Sequence, residues 1–205
     1  RERKGLEVKA IDFHSLKWQM YGHLQKGEIE QASALVKQME SYCEEEPSIK
    51  AMAHIVMMKG AFLSETGRWD DPLIQDSIDY TDIPVQIFGA RSYILGMEAY
   101  AAGDKDSLSS IIAGMTQPII EAEKEALMGS AAMCSGNYDR MRPTLNHVKR
   151  IKAVQLQLKA QLAMMKGDHI EIEDLIKKAI DVEESTTYQY GPPEIVKPSH
   201  EMYAD

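Results

Sequence analysis

Apolar residues recur at spacings of three and four along most of this chain, which is the period of an amphipathic α-helix. The first clear stripe begins after Asp12, a residue suited to cap a helix, and consists of Phe13, Leu16, Met20 and Leu24. Gly27 follows this stripe, and a second stripe covers residues 29–39. The pattern predicts two helices joined by a tight turn, because glycine adopts a left-handed backbone without steric strain.

The same turn returns along the chain. Its five glycines are Gly27, Gly67, Gly103, Gly136 and Gly167, so successive turns lie 40, 36, 33 and 31 residues apart. A period in this range is typical of stacked helical hairpins, in which each hairpin buries its apolar face against its neighbours. The sequence therefore predicts an all-α fold, an α-α superhelix of about five helical hairpins.

Small residues precede most of these turns by seven positions. The residues at that position are Met20, Gly60, Gly96, Gly129 and Ala160, and four of the five are small. A small side chain lets two backbones approach closely. We therefore expect the two helices of each hairpin to cross at these positions.

The second hairpin is incomplete in its second half. The run Trp69-Asp70-Asp71-Pro72 predicts a turn with Asp71 as the cap and Pro72 at the first helical position. Residues 73–84 are too few and too polar for a full second helix. This irregular stretch accounts for the longer spacings between the first turns.

Prolines delimit the fourth hairpin. Pro118 is predicted to open its first helix, which reaches Ser135. Its second helix contains Pro143, which a helix interior would not tolerate. With Asp139 as the cap, Pro143 falls in the first turn, where the backbone N–H has no partner within the helix. The third hairpin is predicted to pair helices over 84–102 and 105–115. The fifth pairs a helix over 154–165 with one over 170–180.

Three segments make up the chain. Residues 1–10 form an N-terminal flank, residues 11–184 the repeats, and residues 185–205 a proline-rich loop with the start of a further, truncated repeat. The loop contains Gly191-Pro192-Pro193 and Pro198. We expect it to be a stiff connector, or else an extended segment that is presented to a partner or folded into a groove of this protein.

The small residue, the turn seven positions later and the second amphipathic helix together resemble tetratricopeptide repeats. Ala32 matches the alanine expected five residues past the turn glycine, in the first repeat alone. Residues 13–21, 67–72 and 190–199 are similar to the C-terminal half of longer bacterial tetratricopeptide-like proteins. The resemblance implies the superhelical fold. That family has no assigned reaction, so the resemblance implies no catalytic residues.

The net charge and the positions of the cysteines limit the classes of partner and of bound metal that we expect. The net charge of −9 argues against a nucleic-acid partner or an anionic membrane, since both require basic surface. No apolar run is long enough to insert into a membrane. Cys43 and Cys134 are far apart and form neither a disulfide framework nor a zinc motif. The chain begins at Arg1 without a methionine, so we expect a piece of a longer protein. We favour the cytoplasm and leave the periplasm open.

Candidate chemistry is sparse. The six histidines form no HxxxH or HExxH motif, and no nucleophile motif or phosphate-binding loop is present. His14 and His54 both precede their turn glycines by thirteen residues, so we expect them on the same face of adjacent repeats. A ligand contact shared by these two histidines is one alternative, and two unrelated surface histidines are the other. We predict no enzyme activity, no metal site and no cofactor.

The first helices of such hairpins line a concave groove, and positions three, six and ten residues before each turn glycine are predicted to face it. Tyrosine and methionine at these positions suit a peptide or helix, because they offer amphipathic and adaptable contact area. The predicted groove residues are Tyr21, Met57, Tyr93, Met97, Tyr100, Met133, Gln157, Gln161 and Met164. The same residues could instead pack against the next hairpin.

These observations predict a non-catalytic scaffold that binds a protein or peptide partner on its concave face. One alternative is a structural or self-associating repeat segment of a larger protein, which would form a homo-oligomer. A further alternative is a small-ligand binder or enzyme that uses the same groove. Two or more ionisable side chains converging on one pocket would favour it.

Overall fold

The computed structural model describes residues 7–131, 142–187 and 195–204. Within these residues the protein consists of nine α-helices, two short 3-10 turns and no β-strand, so the predicted all-α class is confirmed. The helices are α1 Phe13–Gln25, α2 Ile29–Glu45, α3 Ile49–Thr66, α4 Val85–Ala101, α5 Lys105–Gly114, α6 Thr116–Ala131, α7 Leu145–Lys166, α8 His169–Glu184 and α9 Ser199–Ala204.

Local signals in the sequence fix most helix ends. The Asp12 carboxylate accepts the His14 N–H at the start of α1, as predicted, and the Asp168 carboxylate accepts the Glu171 N–H at the start of α8. Such caps satisfy backbone donors that have no partner within the helix. Positive φ angles of 65–75° occur at the turn glycines that the structure describes, namely Gly27, Gly67, Gly103 and Gly167. Gly136 lies outside the described residues.

Four helices form a row, which we call the helix row: α1 packs on α3, α3 on α4, and α4 on α7. The helices α1 and α3 run parallel, as contacts near both ends show. Near their N-termini the Phe13 and His54 ring centroids lie 5.7 Å apart, and near their C-termini Gln25 Nε2 donates to Glu65. A second set lies beside the row. In it, α2 contacts both α1 and α3, α5 contacts both α4 and α7, and α8 contacts α7 and α9.

The parallel pair α4 and α7 is joined through two glycines. A Cβ added at Gly89 would lie 2.6 Å from Cγ1 of Ile151, and one at Gly96 would lie 2.6 Å from Cδ2 of Leu158. The glycines are seven residues apart on α4, and so are their partners on α7. The absent side chains therefore make two recesses on α4, and each receives one branched side chain of α7.

The expectation that Gly60 and Gly96 mark crossings within their own hairpins is wrong. The nearest atoms to the Cβ position of Gly96 belong to Leu158 of α7, the next helix of the row. For Gly60 they belong to Val196, which lies after α8. The physical reason is that the row helices pack side by side at these faces, while the second helix of each hairpin lies on another face. Ala160 does lie in a buried cluster with Leu175 and Ile176 of α8.

The boundaries predicted for the fourth and fifth hairpins also need correction. One continuous helix, α7, replaces the helix predicted to contain Pro143 and the one predicted over 154–165. Pro143 precedes this helix, and Thr144 caps it by accepting the His147 N–H. Asp139 lies outside the described residues. The helix predicted to open at Pro118 is α6, which begins at Thr116 and follows α5 after a break at Met115 alone.

The predicted irregular stretch after Gly67 does lack a full helix. Residues 67–84 contain no α-helix, and their 3-10 turn Pro72–Ile74 is capped by Asp71, which accepts the Leu73 N–H. A polar cluster holds this connector against α3. The Lys59 ammonium, which is almost fully buried, lies 2.7 Å from Glu40 of α2 and 2.6 Å from Asp76 of the connector.

Further contacts extend this cluster to α4. The Tyr80 hydroxyl donates to Asp76 over 3.0 Å, and the Arg91 guanidinium lies 4.2 Å above the Tyr80 ring. Burial, followed by the negative charge of Asp76, raises the pKa of Tyr80. Paired charges of this kind tie together the elements that carry them, because separating the partners would leave a buried charge uncompensated.

Candidate functional site

The four helices of the row enclose a cavity of about 190 Å³, which we call the inner cavity. It lies at the N-terminal halves of α3, α4 and α7, and a side chain of α1 also reaches it. Its apolar lining consists of Ala53, Val56, Met57, Ile87, Gly89, Ala90, Ile151, Val154, Ile195 and Val196. Its polar lining consists of Lys17, Gln86, His147 and Arg150.

The row curves strongly around this cavity. Lys17 of the first row helix and Arg150 of the last line the same space. Further along α1, burial and then the carboxylates of Glu65 and Glu201 raise the pKa of Tyr21. Glu201 belongs to α9 and Tyr21 to α1, so the two ends of the described chain come within electrostatic range of each other.

Part of the cavity wall comes from outside the helices. Residues 195–199, which we call the C-terminal segment, include Ile195 and Val196, each only 7% exposed. Val196 sits over Gly60 of α3, where an added Cβ would lie 2.8 Å from Cγ1 and 3.0 Å from Cγ2. The Gly-Pro-Pro part of the predicted loop lies outside the described residues.

Hydrogen bonds from α7 and α8 hold the same segment. Gln157 of α7 is fully buried and its Nε2 donates to the Lys197 carbonyl over 2.8 Å and to Ser199 Oγ over 3.0 Å. The Ser199 N–H donates to Glu183 Oε2 over 2.8 Å. Gln157 Oε1 has no hydrogen-bond partner among the described residues. The segment is therefore held by its main chain, and one buried acceptor beside it is left unsatisfied.

The charge of the cavity lining differs from that of the whole chain. Three of its described lining residues carry or can carry positive charge, and none is acidic, although the chain has a net charge of −9. His147 accepts the Thr144 N–H through Nδ1, so a neutral His147 carries its proton on Nε2. The Arg150 guanidinium donates to the Thr187 carbonyl over 3.0 Å. Basic groups at the edge of an apolar cavity favour ligands with negative charge.

The structure places the predicted groove residues at several depths. Tyr93, Met97, Gln157 and Gln161 are buried, with at most 7% exposure, whereas Tyr21, Met57 and Tyr100 are half-buried. Met164 is 48% exposed, and its sulfur accepts the Tyr100 hydroxyl over 2.9 Å. Met133 lies outside the described residues. Met57 lines the inner cavity and Gln157 holds the C-terminal segment, so the eight described residues do not form one surface.

Tyr93 shows why the predicted groove does not stay open at its centre. The ring of Trp69, in the turn after α3, packs edge-on against the Tyr93 ring with 5.9 Å between centroids. This contact covers a side chain that the repeat pattern assigned to the groove. The actual cavity lies one to two helical turns closer to the N-termini of the row helices.

The pattern missed most of the polar lining. Because Pro143 predicts a helix start nearby, the pattern gives His147 and Arg150 to a separate helix. It therefore does not place them among the residues that face the groove. Gln86 lies seventeen residues before its turn glycine, beyond the positions considered. One usable signal was Ile195-Val196, an apolar pair in a polar, proline-rich loop.

The remaining reactive side chains have packing or capping contacts. His54 Nδ1 donates to the Lys50 carbonyl over 2.7 Å, and burial, followed by nearby cationic groups, lowers the pKa of His54. The His14 Nε2 accepts the Trp18 N–H over 2.7 Å. Burial raises the pKa of Cys43 to about 11, which keeps this thiol protonated and poorly nucleophilic. Cys134 lies outside the described residues.

The described residues provide neither a metal site nor a membrane-spanning helix. They contain no group of three histidine, cysteine, aspartate or glutamate side chains placed to hold a metal ion. Each of their helices is too short or too polar to cross a bilayer. Comparison with protein-family profiles, with curated proteins and with solved structures finds no match to this chain. The tetratricopeptide resemblance therefore stays a prediction.

Proposed function

We propose that this chain is a non-catalytic, tetratricopeptide-like scaffold whose curved helix row binds an extended segment of a protein partner at the inner cavity. The supporting observation is the C-terminal segment itself. A non-helical stretch with two buried aliphatic side chains and a hydrogen-bonded main chain already occupies one wall of that cavity. The site thus has the apolar and polar contacts that recognition of an extended peptide requires.

The packing of the helices supports the repeat architecture. In a stack of hairpins, successive first helices are parallel neighbours and each second helix contacts two of them. The pairs α1–α3 and α4–α7 and the positions of α2 and α5 agree with this scheme. We propose an arrangement of four hairpins, the second of them incomplete, with α9 as the first helix of a fifth.

A small anionic ligand is the second candidate. The observation in its favour is the convergence of Lys17, His147 and Arg150 on one cavity with an apolar floor. A cavity of about 190 Å³ is small for most ligands, because common ligand sites span roughly 300–1,000 Å³. An extended segment needs only one or two side chains in such a cavity, which is why we favour a protein partner.

Photo-crosslinking from the cavity tests the leading proposal. A benzophenone side chain at position 57 is introduced into the full chain in its source cells, and crosslinked proteins are identified. A recovered partner is then purified and its affinity is measured for the unchanged chain and for Met57→Lys. We expect at least tenfold weaker binding by Met57→Lys, because a charge would enter an apolar lining.

The matched control is position 170. Ile170 on α8 is 85% exposed and remote from the cavity lining, so Ile170→Lys should leave the affinity unchanged. Equal crosslinking from positions 57 and 170, or an unchanged affinity in Met57→Lys, would contradict the proposal. Stabilisation of the chain by small carboxylates, together with no partner crosslinked from position 57, would favour the second candidate.

A further inference from the structure

The C-terminal segment suggests what kind of partner segment the scaffold takes. Val196 is a β-branched residue seated in the recess that Gly60 leaves on α3. The recess has a fixed depth, because the Cβ position of Gly60 already lies within 3.0 Å of both Val196 methyl groups. A side chain at position 60 would therefore force the Val196 side chain to shift, and a large one would fill the recess.

Gln157 supplies the polar half of the same subsite. It is fully buried, and both described acceptors of its Nε2 belong to the C-terminal segment. One acceptor is the Lys197 carbonyl in the non-helical part, and the other is the side chain of Ser199, the first residue of α9. The bond to the Lys197 carbonyl points to main-chain recognition, since a buried amide without hydrogen bonds would be unfavourable. The Lys197 carbonyl is a feature that any extended peptide could supply.

The contact of the segment is also incomplete. Gln157 Oε1 is buried and has no described partner, and a buried acceptor without a hydrogen bond lowers stability. A ligand that offered an N–H or O–H at this point would bind better than the segment does. The structure thus combines a well-defined recess with an occupant that leaves room for a stronger competitor.

From these observations we infer that Gly60 and Gln157 form a binding subsite for an extended partner segment with a β-branched aliphatic residue, which competes with residues 195–199 of the chain itself. The inference rests on the proposed function and specifies its partner. The chain's own segment then acts as a tethered competitor, present at an effective concentration of about millimolar because it belongs to the same molecule.

The test uses a synthetic peptide with the sequence of residues 194–199, Glu-Ile-Val-Lys-Pro-Ser, acetylated, amidated and labelled with fluorescein. Its binding is measured by anisotropy to the unchanged full chain and to the variant Ile195→Ser/Val196→Ser. We expect the double variant to bind the peptide at least ten times more tightly than the unchanged chain. The reason is that two polar residues no longer favour burial of the tethered competitor.

Gly60 and Gly22 provide a matched pair on the double-variant background. Both glycines lie inside helices, but a Cβ at Gly22 would meet nothing within 4 Å. Gly60→Leu should weaken peptide binding at least tenfold, whereas Gly22→Leu should leave it unchanged. Circular dichroism confirms that each variant retains its helix content. If the double variant unfolds, Val196→Ala takes its place with the same two glycine variants.

Two results would overturn the inference. One is equal peptide affinity for the unchanged chain and the folded double variant. The other is peptide binding that Gly60→Leu leaves intact. If either occurs while a partner still crosslinks from position 57 and depends on Met57, only the Gly60–Gln157 subsite fails. If no Met57-dependent partner is found either, the proposed scaffold function fails with it.

Discussion

Gly60 on α3 and Gly96 on α4 occupy the same place relative to their turns, yet different kinds of structure fill the two recesses. Leu158, within the longest described helix, fills the recess at Gly96, whereas Val196, from a non-helical segment, fills the recess at Gly60. Leu158 is fully buried and belongs to the contact between two row helices. Val196 is nearly as buried, but it lies in a non-helical segment whose hydrogen bonds are made by the Lys197 carbonyl and by Ser199.

The difference shows how one sequence signal can serve two purposes. A glycine that faces a neighbouring helix is part of the core, because moving Leu158 would require α4 and α7 to separate. Under the proposed function, a glycine that faces a short segment is uncovered when residues 195–198 and the start of α9 move, while the row helices stay packed. Local opening of this kind costs less free energy than global unfolding. We therefore assign stability to the α4–α7 recesses and binding to the one on α3.

The largest expected effect is on the free energy of unfolding and concerns Lys59, the neighbour of Gly60 on α3, whose ion pairs join α3 to α2 and to the connector. Lys59→Ala removes the cation between Glu40 and Asp76 and leaves two acidic groups close together, one of them buried. We expect a loss of about 3–5 kcal/mol in the free energy of unfolding, measured with urea. Lys177→Ala, at an exposed ion pair on α8, is the control and should not change the midpoint. Equal midpoints for the two variants would mean that the Lys59 cluster does not anchor α3.

Leu158→Ala and Val196→Ala compare the two recess occupants directly. Leu158→Ala should destabilise the protein by about 2–5 kcal/mol, since it leaves a cavity between two fixed helices. Val196→Ala should cost less than about 1 kcal/mol globally, because the segment can shift. Hydrogen exchange should accelerate in residues 195–199 for Val196→Ala alone. A similar global loss in both variants would remove the distinction between the two recesses.

Alanine substitution at three glycines separates steric conflict from helix propensity. Gly96→Ala should destabilise by about 1–3 kcal/mol, because Cγ of Leu158 also lies 3.2 Å from the new Cβ. Gly22→Ala, in open space, should stabilise by up to about 1 kcal/mol. The stability of Gly60→Ala should fall between those of the other two variants. Its amide hydrogen exchange should be faster in residues 195–199. Thermal unfolding gives the order, and Gly60→Ala more destabilising than Gly96→Ala would contradict our assignment.

The smallest effect is a pH dependence at His54, where α3 meets α1. Burial lowers its folded-state pKa below the ordinary value, so the unfolded chain binds more protons between the two pKa values. His54 thus contributes no penalty above about pH 6.5 and lowers stability as the pH falls below it. Because the ring is partly exposed, we expect His54→Gln to recover only about 2 °C at pH 5.5 relative to pH 7.5. His169→Gln is the control, and an equal recovery there would exclude His54 as the source.

Parts of the inner cavity could be predicted from the sequence. Lys17, Met57 and Gln157 lie ten residues before their turn glycines, and the first two line the cavity while the third holds the segment beside it. Tyr93 occupies the same repeat position and is buried under Trp69, twenty-four residues earlier in the chain. Periodicity assigns a residue to a helix face, but it does not say which neighbour covers that face.

The sequence by itself determined the all-helical class, the glycine turns that the structure describes and the irregular connector over residues 67–84. These features depend on contacts within a few residues, such as the Asp12 cap and the left-handed backbone at Gly167. Only the tertiary structure decided that α7 is continuous, that the row curves around one cavity, and that Val196 seats on Gly60. The last two outcomes join residues more than a hundred positions apart, Lys17 with Arg150 and Gly60 with Val196, and their packing follows from the shapes of complete helix faces.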